Sequence, residues 1–167
     1  MRYAVLAGRQ LFSLIFILAS AEHFSPAAIE SAARHGVPWP DLLVPISGVI
    51  ALVGGLSVLL GFKTRIGAGL LVIFLVPVTV MMHNFWASTD PLTHHIERAM
   101  FLKNVTMLGG ALVISYFGAD PLSLDALLER DRDASDETES GRNPAGMLPN
   151  ATTVSTLSGP KKLTPQG

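Results

Sequence analysis

The sequence predicts an all-α fold, an integral membrane four-helix bundle followed by a disordered C-terminal tail. Hydrophobic residues make up 49% of the 167 residues and charged residues only 15%, against roughly 25% charged residues in a typical soluble domain. Residues 42–62 contain no charged residue, and His83 is the only ionisable residue in 66–86. Because about 20 apolar residues cross a hydrocarbon core of roughly 30 Å, each stretch is long enough to span a membrane.

Four spans are predicted within a membrane domain of residues 1–126, at residues 3–24, 41–62, 66–86 and 99–118. The first span has a second interpretation, because Arg2, a short apolar run and Ala19-Ser20-Ala21 also fit a signal peptide with its cleavage site. Pro77 predicts a kink in the third span, which a membrane helix tolerates when neighbouring groups satisfy the freed carbonyl.

Short segments connect the predicted spans. Residues 25–36 predict an interfacial helix, because Ser25 is a suitable N-cap, Pro26 fits the first helical position and Gly36 can close the end. Residues 37–40 are expected to be extended, since residues that precede proline avoid the helical region. A turn is expected at residues 63–65 and a polar loop at residues 87–98.

Small residues recur at helical spacing within the spans. They are the pairs Ala51 with Gly55 and Ser57 with Gly61, and the dipeptide Gly109-Gly110. Small side chains let helix backbones approach closely in lipid, so Gly55 and Gly61 are predicted to be structural. We expect them to pack helices within one bundle, with a homo-oligomer as the alternative. Arg9 is also predicted to be structural, with its guanidinium snorkelling to the membrane surface.

Residues 127–167 differ from the spans in composition. They are rich in Asp, Glu, Ser, Thr, Gly and Pro, and their few large apolar residues are scattered. Such a segment cannot bury a core, so a disordered tail is expected. The formal net charge of −1, without a basic face, gives no indication of nucleic-acid binding. The chain has no cysteine, which excludes disulfides and thiolate metal sites within it.

Four spans place both predicted termini on one side of the membrane. Basic residues near that side are Arg2, Arg9, Lys63, Arg65, Arg130 and Arg132. The opposite side has Arg34 and Arg98, with Lys103 just inside the fourth predicted span. The excess of basic residues favours termini in the cytoplasm, because cytoplasmic loops are enriched in Lys and Arg.

Polar residues gather at the end of the bundle opposite the predicted termini. This predicted polar layer consists of Glu22, His23, His83, Asn84, Lys103 and Asn104. At 1.5 Å per residue, His83 and Lys103 would each lie roughly 5 Å inside the membrane boundary. Ionisable residues inside spans are costly and by default suggest a functional site. We therefore take His83 and Lys103 as candidate catalytic residues, and the rest of the layer with Phe85 and Trp86 as candidate ligand-binding residues.

Each candidate also has a structural explanation. Lys103 can snorkel to the headgroups with Glu22 as its counter-ion, and His83 can bond a backbone carbonyl. Trp86 fits an interfacial anchor. Histidines at positions 23, 83, 94 and 95 offer imidazole ligands, but their spacing is not diagnostic of a metal site, and no metal is predicted.

Several short motifs occur in a fixed order along the chain. They are Gly8-Arg9, Gly36-Val37-Pro38, Gly54-Gly55, Thr64-Arg65, His83-Asn84-Phe85-Trp86, Phe101-Leu102-Lys103-Asn104, Leu108-Gly109-Gly110 and Ser123-Leu124-Asp125. With these motifs the sequence resembles the DoxX family of small four-helix bacterial membrane proteins over about residues 5–126. The resemblance implies a multi-pass protein of the bacterial inner (plasma) membrane. It does not extend to Glu22-His23, whose candidacy rests on depth alone.

Three functions are consistent with these observations. Some DoxX relatives resemble membrane subunits of thiosulfate:quinone oxidoreductase, and others are linked to complexes that handle oxidative and thiol stress. The resemblance therefore implies a membrane subunit of a quinone-linked oxidoreductase complex, with a partner redox protein that supplies electrons. The alternatives are a non-catalytic membrane scaffold that docks a partner enzyme and a small-solute transporter. A transporter would require a dimer, because four helices without an inverted repeat provide little material for alternating access.

A quinone site makes a specific demand on the polar layer. A quinone needs an apolar slot open to the bilayer and polar groups that bind its carbonyls and move protons. Histidine can exchange protons near neutral pH, which suits His83. Lys103 and either Asn84 or Asn104 can donate hydrogen bonds to a quinone oxygen, while Phe85 and Trp86 can flank the ring.

Overall fold

A computed structural model describes the backbone of residues 2–118 and 122–142. In this part of the chain six α-helices follow one another, and none of the residues forms a strand. We number them α1 (Arg2–Ser20), α2 (Pro26–Arg34), α3 (Pro40–Leu60), α4 (Thr64–Met82), α5 (Pro91–Phe117) and α6 (Leu124–Arg142). Two short 3₁₀ helices, Ala21–Phe24 and Phe85–Ala87, extend the ends of α1 and α4.

Four helical segments within the described residues are long and apolar enough to cross a membrane. They are Tyr3–Phe24, Pro40–Leu60, Thr64–Ala87 and Pro91–Phe117. The all-α, four-span prediction is therefore confirmed. Helix α1 packs on α3, α3 on α4, and α4 on α5, while the Phe12 side chain reaches from α1 to Gly110 of α5.

The core of the bundle draws on all four spanning helices. Its buried hydrophobic residues are Phe16, Ala51, Val58, Ala68, Leu71, Phe74, Leu75 and Ala111. Phe16 lies edge-on to Phe74, with ring centroids 6.3 Å apart. Helix α1 therefore contributes a side chain to the core of the bundle. Pro77 lies inside α4 as predicted, and Pro45 lies inside α3; the kink at Pro77 stays a prediction.

Helix α3 approaches both of its neighbours closely at glycines. A Cβ atom on Gly55 would lie 3.0 Å from Cγ1 of Ile17 in α1, and one on Gly54 would lie 2.9 Å from the carbonyl oxygen of Gly67 in α4. Gly55 therefore lies at the contact of α3 with α1, and its packing role stays a prediction. Gly61 is structural in a different way, because it ends α3 with a φ of +70°, which a residue without a Cβ adopts most readily.

The connection between α1 and α3 is largely as predicted. Ser25 caps α2, its hydroxyl oxygen accepting a hydrogen bond from the Ala28 amide at 3.2 Å. Gly36 follows the helix with a φ of +75°. The expectation of an extended chain fails at Trp39, whose φ is +43°. This left-handed residue turns the chain into α3, where its carbonyl oxygen accepts hydrogen bonds from the amides of Leu42 and Leu43.

Helix α5 begins earlier than the sequence predicted, at Pro91 rather than near residue 99, so most of the expected loop at 87–98 is helical. The Asp90 carboxylate caps it, accepting hydrogen bonds from the Thr93 hydroxyl at 2.7 Å and the Thr93 amide at 2.8 Å. These bonds lower the pKa of Asp90. The cap therefore stabilises the helix at neutral pH, and this contribution is lost as the pH falls through the lowered pKa.

After α5 the chain returns to the turn between α3 and α4. The Asp125 carboxylate accepts hydrogen bonds from the amides of Lys63 at 2.9 Å and Thr64 at 3.3 Å, which caps α4. The Asp125 amide in turn donates to the carbonyl oxygen of Gly61 at 3.0 Å. We call this contact of residues 122–125 with the α3–α4 turn the C-terminal clasp.

Arg9 is part of the clasp, and the prediction that it snorkels is wrong. Its side chain is only 6% exposed, and Nη2 donates to the carbonyl oxygen of Leu122 at 3.3 Å. A Cβ on Gly61 would overlap both the Arg9 guanidinium and the Cβ of Ser123. The predicted turn at 63–65 is correspondingly shifted, because α4 already begins at Thr64 and Lys63 is left-handed with a φ of +47°.

Beyond the clasp, the predicted disorder from residue 127 does not hold for residues 127–142, which continue α6 to Arg142. Composition alone does not show that a helix can begin at this point. The Ser123 hydroxyl caps it by accepting a hydrogen bond from the Ala126 amide at 3.2 Å. The first compact unit of the chain ends at Glu129, three residues past the predicted boundary at 126. The predicted tail beyond Arg142 lies outside the described residues.

The glycine contacts of α3 predict the effect of adding one methyl group. Gly54→Ala should lower the free energy of unfolding by about 1–3 kcal/mol, because the new Cβ meets a backbone oxygen that cannot rotate away. Gly69→Ala is the matched control in α4, since its Cβ would meet no atom within 4 Å. Reversible unfolding in mixed micelles measures both variants, and equal stability losses would contradict the packing assignment.

The clasp predicts which backbone amides depend on a distant side chain. Asp125→Ala removes the acceptor of the Lys63 and Thr64 amides, and losing such a cap costs about 1 kcal/mol, which speeds amide exchange roughly fivefold. Hydrogen–deuterium exchange of the peptide that holds the α3–α4 turn measures the effect. Asp131→Ala serves as the control, and unchanged protection in Asp125→Ala would show that the carboxylate does not hold the turn.

Candidate functional site

The candidate site begins where α4 ends. The helix stops at Met82, so His83 is its C-cap with a φ of −120° rather than a residue one turn inside the helix. The regular α-helix thus ends before the predicted residue 86, although the apolar segment that could span the membrane continues to Ala87. Residues Phe85–Ala87 form a 3₁₀ turn, in which the Ala87 amide donates to the carbonyl oxygen of Asn84 at 2.8 Å. Hydropathy could not locate the end of the α-helix, because the apolar residues Phe85 and Trp86 follow His83 and Asn84.

His83 pairs with Glu97, a residue that sequence reasoning missed. Nδ1 of His83 lies 2.8 Å from Oε2 of Glu97, and the two side chains are 22% and 25% exposed. The early start of α5 places Glu97 opposite the end of α4. The available signal was Asp90-Pro91, an N-cap followed by a proline at the first helical position, which would have turned the expected loop into helix.

An aromatic cluster adjoins this pair. The Phe85 ring is its centre, with ring centroids 5.1 Å from Trp86, 5.4 Å from His94 and 5.4 Å from Phe101. Trp86 also meets Phe101 edge-on at 5.9 Å. The cluster joins the α4–α5 connection to the first three turns of α5, and Trp86 is 58% exposed at its outer edge. The two predicted aromatic ligand residues therefore lie together, next to the predicted catalytic histidine.

Asn104 continues the inward face of α5 below the cluster. It follows Glu97 by seven residues, which is close to two helical turns and places it on the same face about 10 Å further along. Asn104 is 4% exposed. Two other buried polar residues of the bundle, Ser20 and Thr79, each donate from the hydroxyl to a carbonyl of their own helix.

The side-chain amide of Asn104 brings hydrogen-bonding groups into the buried face of α5. Buried polar groups in proteins are in most cases hydrogen-bonded. The Asn104 amide carries both a donor and an acceptor. It can therefore bind a polar atom of a ligand that enters along the face of α5.

The remaining members of the predicted polar layer lie elsewhere. Nδ1 of His23 donates to the carbonyl oxygen of Ala19 at 3.0 Å, and the His23 ring centroid lies 5.5 Å from that of Phe74. Glu22 and Lys103 are exposed, and they form no ion pair with each other within the described residues. The structure therefore brings His83, Asn84, Phe85 and Trp86 together, and leaves Glu22, His23 and Lys103 out of this group.

The pair of His83 and Glu97 can hold and move a proton. When Nδ1–H of His83 donates to the Glu97 carboxylate, Nε2 remains as an acceptor. No group of three or more His, Cys, Asp or Glu residues that could hold a metal ion occurs among the residues the structure describes. The arrangement thus offers proton transfer beside an aromatic surface at the end of a membrane span.

Comparison with known proteins finds a family similarity over part of the chain. The DoxX family model matches residues 4–84, which include most of α1, all of α2 to α4 and His83. Over these residues the chain is similar to the DoxX family. The inner membrane protein YqjF of Escherichia coli is 28% identical over 126 residues, which cover 75% of this chain and 92% of that protein. The E. coli inner membrane protein YphA is 29% identical over 97 residues, covering 58% and 69% respectively. No solved structure matches the chain.

The two relatives are inner membrane proteins, and the four apolar helices of the described chain fit a multi-pass membrane protein. The family model ends one residue beyond His83. Glu97, His94, Phe101 and Asn104 therefore lie outside the region that it matches. The contact between α4 and α5 brings Glu97 to His83, at the end of that region.

The contact of His83 with Glu97 predicts a measurable coupling. In a double-mutant cycle of His83→Ala and Glu97→Ala, the two effects on the free energy of unfolding should be non-additive by about 1 kcal/mol, because the side chains touch and are mostly shielded from water. The ion pair of Arg34 with Glu30 is the matched control. Its side chains are 63% and 73% exposed, so about 0.3–0.5 kcal/mol is expected.

Reversible unfolding in detergent at neutral pH supplies both cycles. Strict additivity of the His83 and Glu97 variants would contradict the pairing, whereas equal coupling in both cycles would contradict the shielding of the His83–Glu97 pair.

Proposed function

We propose that this DoxX-like protein is the membrane subunit of a quinone-linked oxidoreductase complex and binds the quinone ring beside His83 and Glu97. The observation that carries the proposal is the placement of this pair directly next to the aromatic cluster around Phe85. Ligand sites are mostly apolar with a few precisely placed polar groups. This combination of an apolar wall and a proton-exchanging pair is what a quinone headgroup requires.

The chemistry of the site follows from what a quinone consumes. Reduction to the quinol takes up two electrons and two protons, one proton on each carbonyl oxygen. The His83–Glu97 pair delivers one proton to the carbonyl oxygen nearer the membrane surface, and the second oxygen takes its proton from water. Asn104, buried two turns further along α5, donates a hydrogen bond toward the other end of the ligand. Electrons arrive from a partner redox protein that oxidises a thiol or sulfur compound.

The proposal includes an orientation. We place the protein in the inner membrane with both termini in the cytoplasm. The end of the bundle that holds the N-terminus of α1 also carries Lys63, Arg65 in the first turn of α4, and Arg9 of the clasp. Basic residues are enriched on the cytoplasmic side of membrane proteins. His83 and Glu97 then lie at the periplasmic end. This location suits a donor that is oxidised outside the cytoplasm.

The two tryptophans of the chain allow a direct binding test. Trp86 belongs to the aromatic cluster, whereas Trp39 is 77% exposed in the α2–α3 connection. Trp39→Phe leaves Trp86 as the reporter, and Trp86→Phe leaves Trp39 as the matched control. Titration of the reconstituted protein with short-chain ubiquinone should quench Trp86 fluorescence saturably, because a bound ring stacks against it, and should quench Trp39 only in proportion to the quinone in the bilayer.

Variants of the polar pair separate the competing functions. In the Trp39→Phe background, Glu97→Gln and Asn104→Ala should each weaken the saturable quenching, while Lys103→Ala, an exposed position on the same helix, should leave it unchanged. If Trp86 and Trp39 respond identically, the quinone proposal fails. The non-catalytic scaffold then becomes the better account, and the search moves to proteins that co-purify with the intact chain.

A further inference from the structure

The first turns of α6 carry an exposed apolar stripe. Its members Leu124, Leu127 and Leu128 are between 40% and 52% exposed. They have the spacing that places side chains on one face of a helix. Contiguous exposed apolar surface marks an interaction site or a membrane contact, so the stripe requires an occupant.

The clasp fixes where this stripe lies. Asp125 is bonded to Lys63, Thr64 and Gly61 through three hydrogen bonds, and Leu122 is bonded to Arg9. These partners are the end of α3, the start of α4 and the N-terminal part of α1. The leucines are therefore held within one or two helical turns of the point where two spanning helices leave the hydrocarbon core.

The sequence confines the apolar residues to the part of α6 that the clasp holds. Residues 129–142 contain no large apolar side chain. At the same end of the bundle, Phe62 is 42% exposed, and the Lys63 ammonium lies 5.6 Å above its ring. An aromatic ring with a lysine at its outer side is typical of the boundary between acyl chains and headgroups.

We propose that residues 122–128 form an interfacial anchor, in which the leucine stripe inserts into the headgroup–acyl boundary of the protein's own bilayer and the clasp sets its depth. The occupant is lipid because the clasp holds the stripe at the membrane boundary in every copy, at any protein concentration. Amphipathic helices of this kind lie in the interfacial plane with their apolar face buried roughly 5–10 Å. This inference does not depend on the proposed quinone site.

Depth-dependent fluorescence quenching tests the anchor in the full-length protein. Trp39→Phe with Trp86→Phe removes both native tryptophans, and Leu127→Trp then introduces a single reporter on the stripe. In vesicles of phosphatidylcholine and phosphatidylglycerol with bromine near the headgroup end of the acyl chains, its emission should fall at least about twofold, because the interfacial depth of such helices brings it into contact with the bromines.

A control on the same helix separates insertion from mere proximity. Glu129→Trp in the same background lies about 160° around α6 from Leu127 and is exposed, so it should show little quenching. Leu128→Trp provides a second reporter on the stripe if Leu127→Trp fails to fold. Adding Asp125→Ala to the reporter should reduce the quenching, because the clasp no longer holds the segment at the boundary.

Three results would overturn the anchor. In the first, brominated lipid does not quench a tryptophan on the stripe. In the second, the Glu129→Trp control is quenched equally, and in the third, Asp125→Ala leaves the quenching unchanged. If the stripe tryptophans become less accessible to the brominated lipid as the protein density in the vesicles rises, the stripe is instead covered by a second copy of the chain.

Discussion

The close approach of α3 to α1 on one side and to α4 on the other is the constraint on which the rest of the bundle depends. In lipid the hydrophobic effect does not drive helices together, so association relies on van der Waals contact between backbones that come near each other. Gly55 allows this contact with α1, and Gly54 with Gly67 allows it with α4. These contacts fix the position of α4 in the bundle. The clasp forms at its N-terminal end, and the candidate site lies at its C-terminal end.

Polar groups serve different purposes at the two ends of α4. At its start, the Asp125 carboxylate satisfies amides that a helix leaves without partners, and the buried Arg9 donates to a returning carbonyl. At its end, His83 meets Glu97 across a helix interface, and Asn104 is buried further along α5. The polar groups at the first end hold the chain together, whereas those at the second end form the candidate site.

The position of α5 connects the fold to the proposed chemistry. Because Asp90 caps the helix two turns before the expected start, Glu97, Phe101 and Asn104 fall on one inward face beside α4. A start near residue 99 would have left Glu97 in a loop, without a fixed partner for His83. The helix cap is remote from the candidate site, yet it determines which carboxylate the site contains.

The sequence by itself determined the fold class, the four spans and the helix α2, because these follow from hydropathy and capping residues, which are local properties. It also named His83, Phe85, Trp86 and Asn104 as candidate site residues. Only the tertiary structure decided that Glu97 rather than Lys103 accompanies His83, that Arg9 is buried, and that Asp125 caps a helix 61 residues earlier in the chain. These contacts depend on the rotation of each helix about its axis and on the residue at which each helix ends. An apolar stretch encodes neither, because it is hydrophobic on every face of the helix.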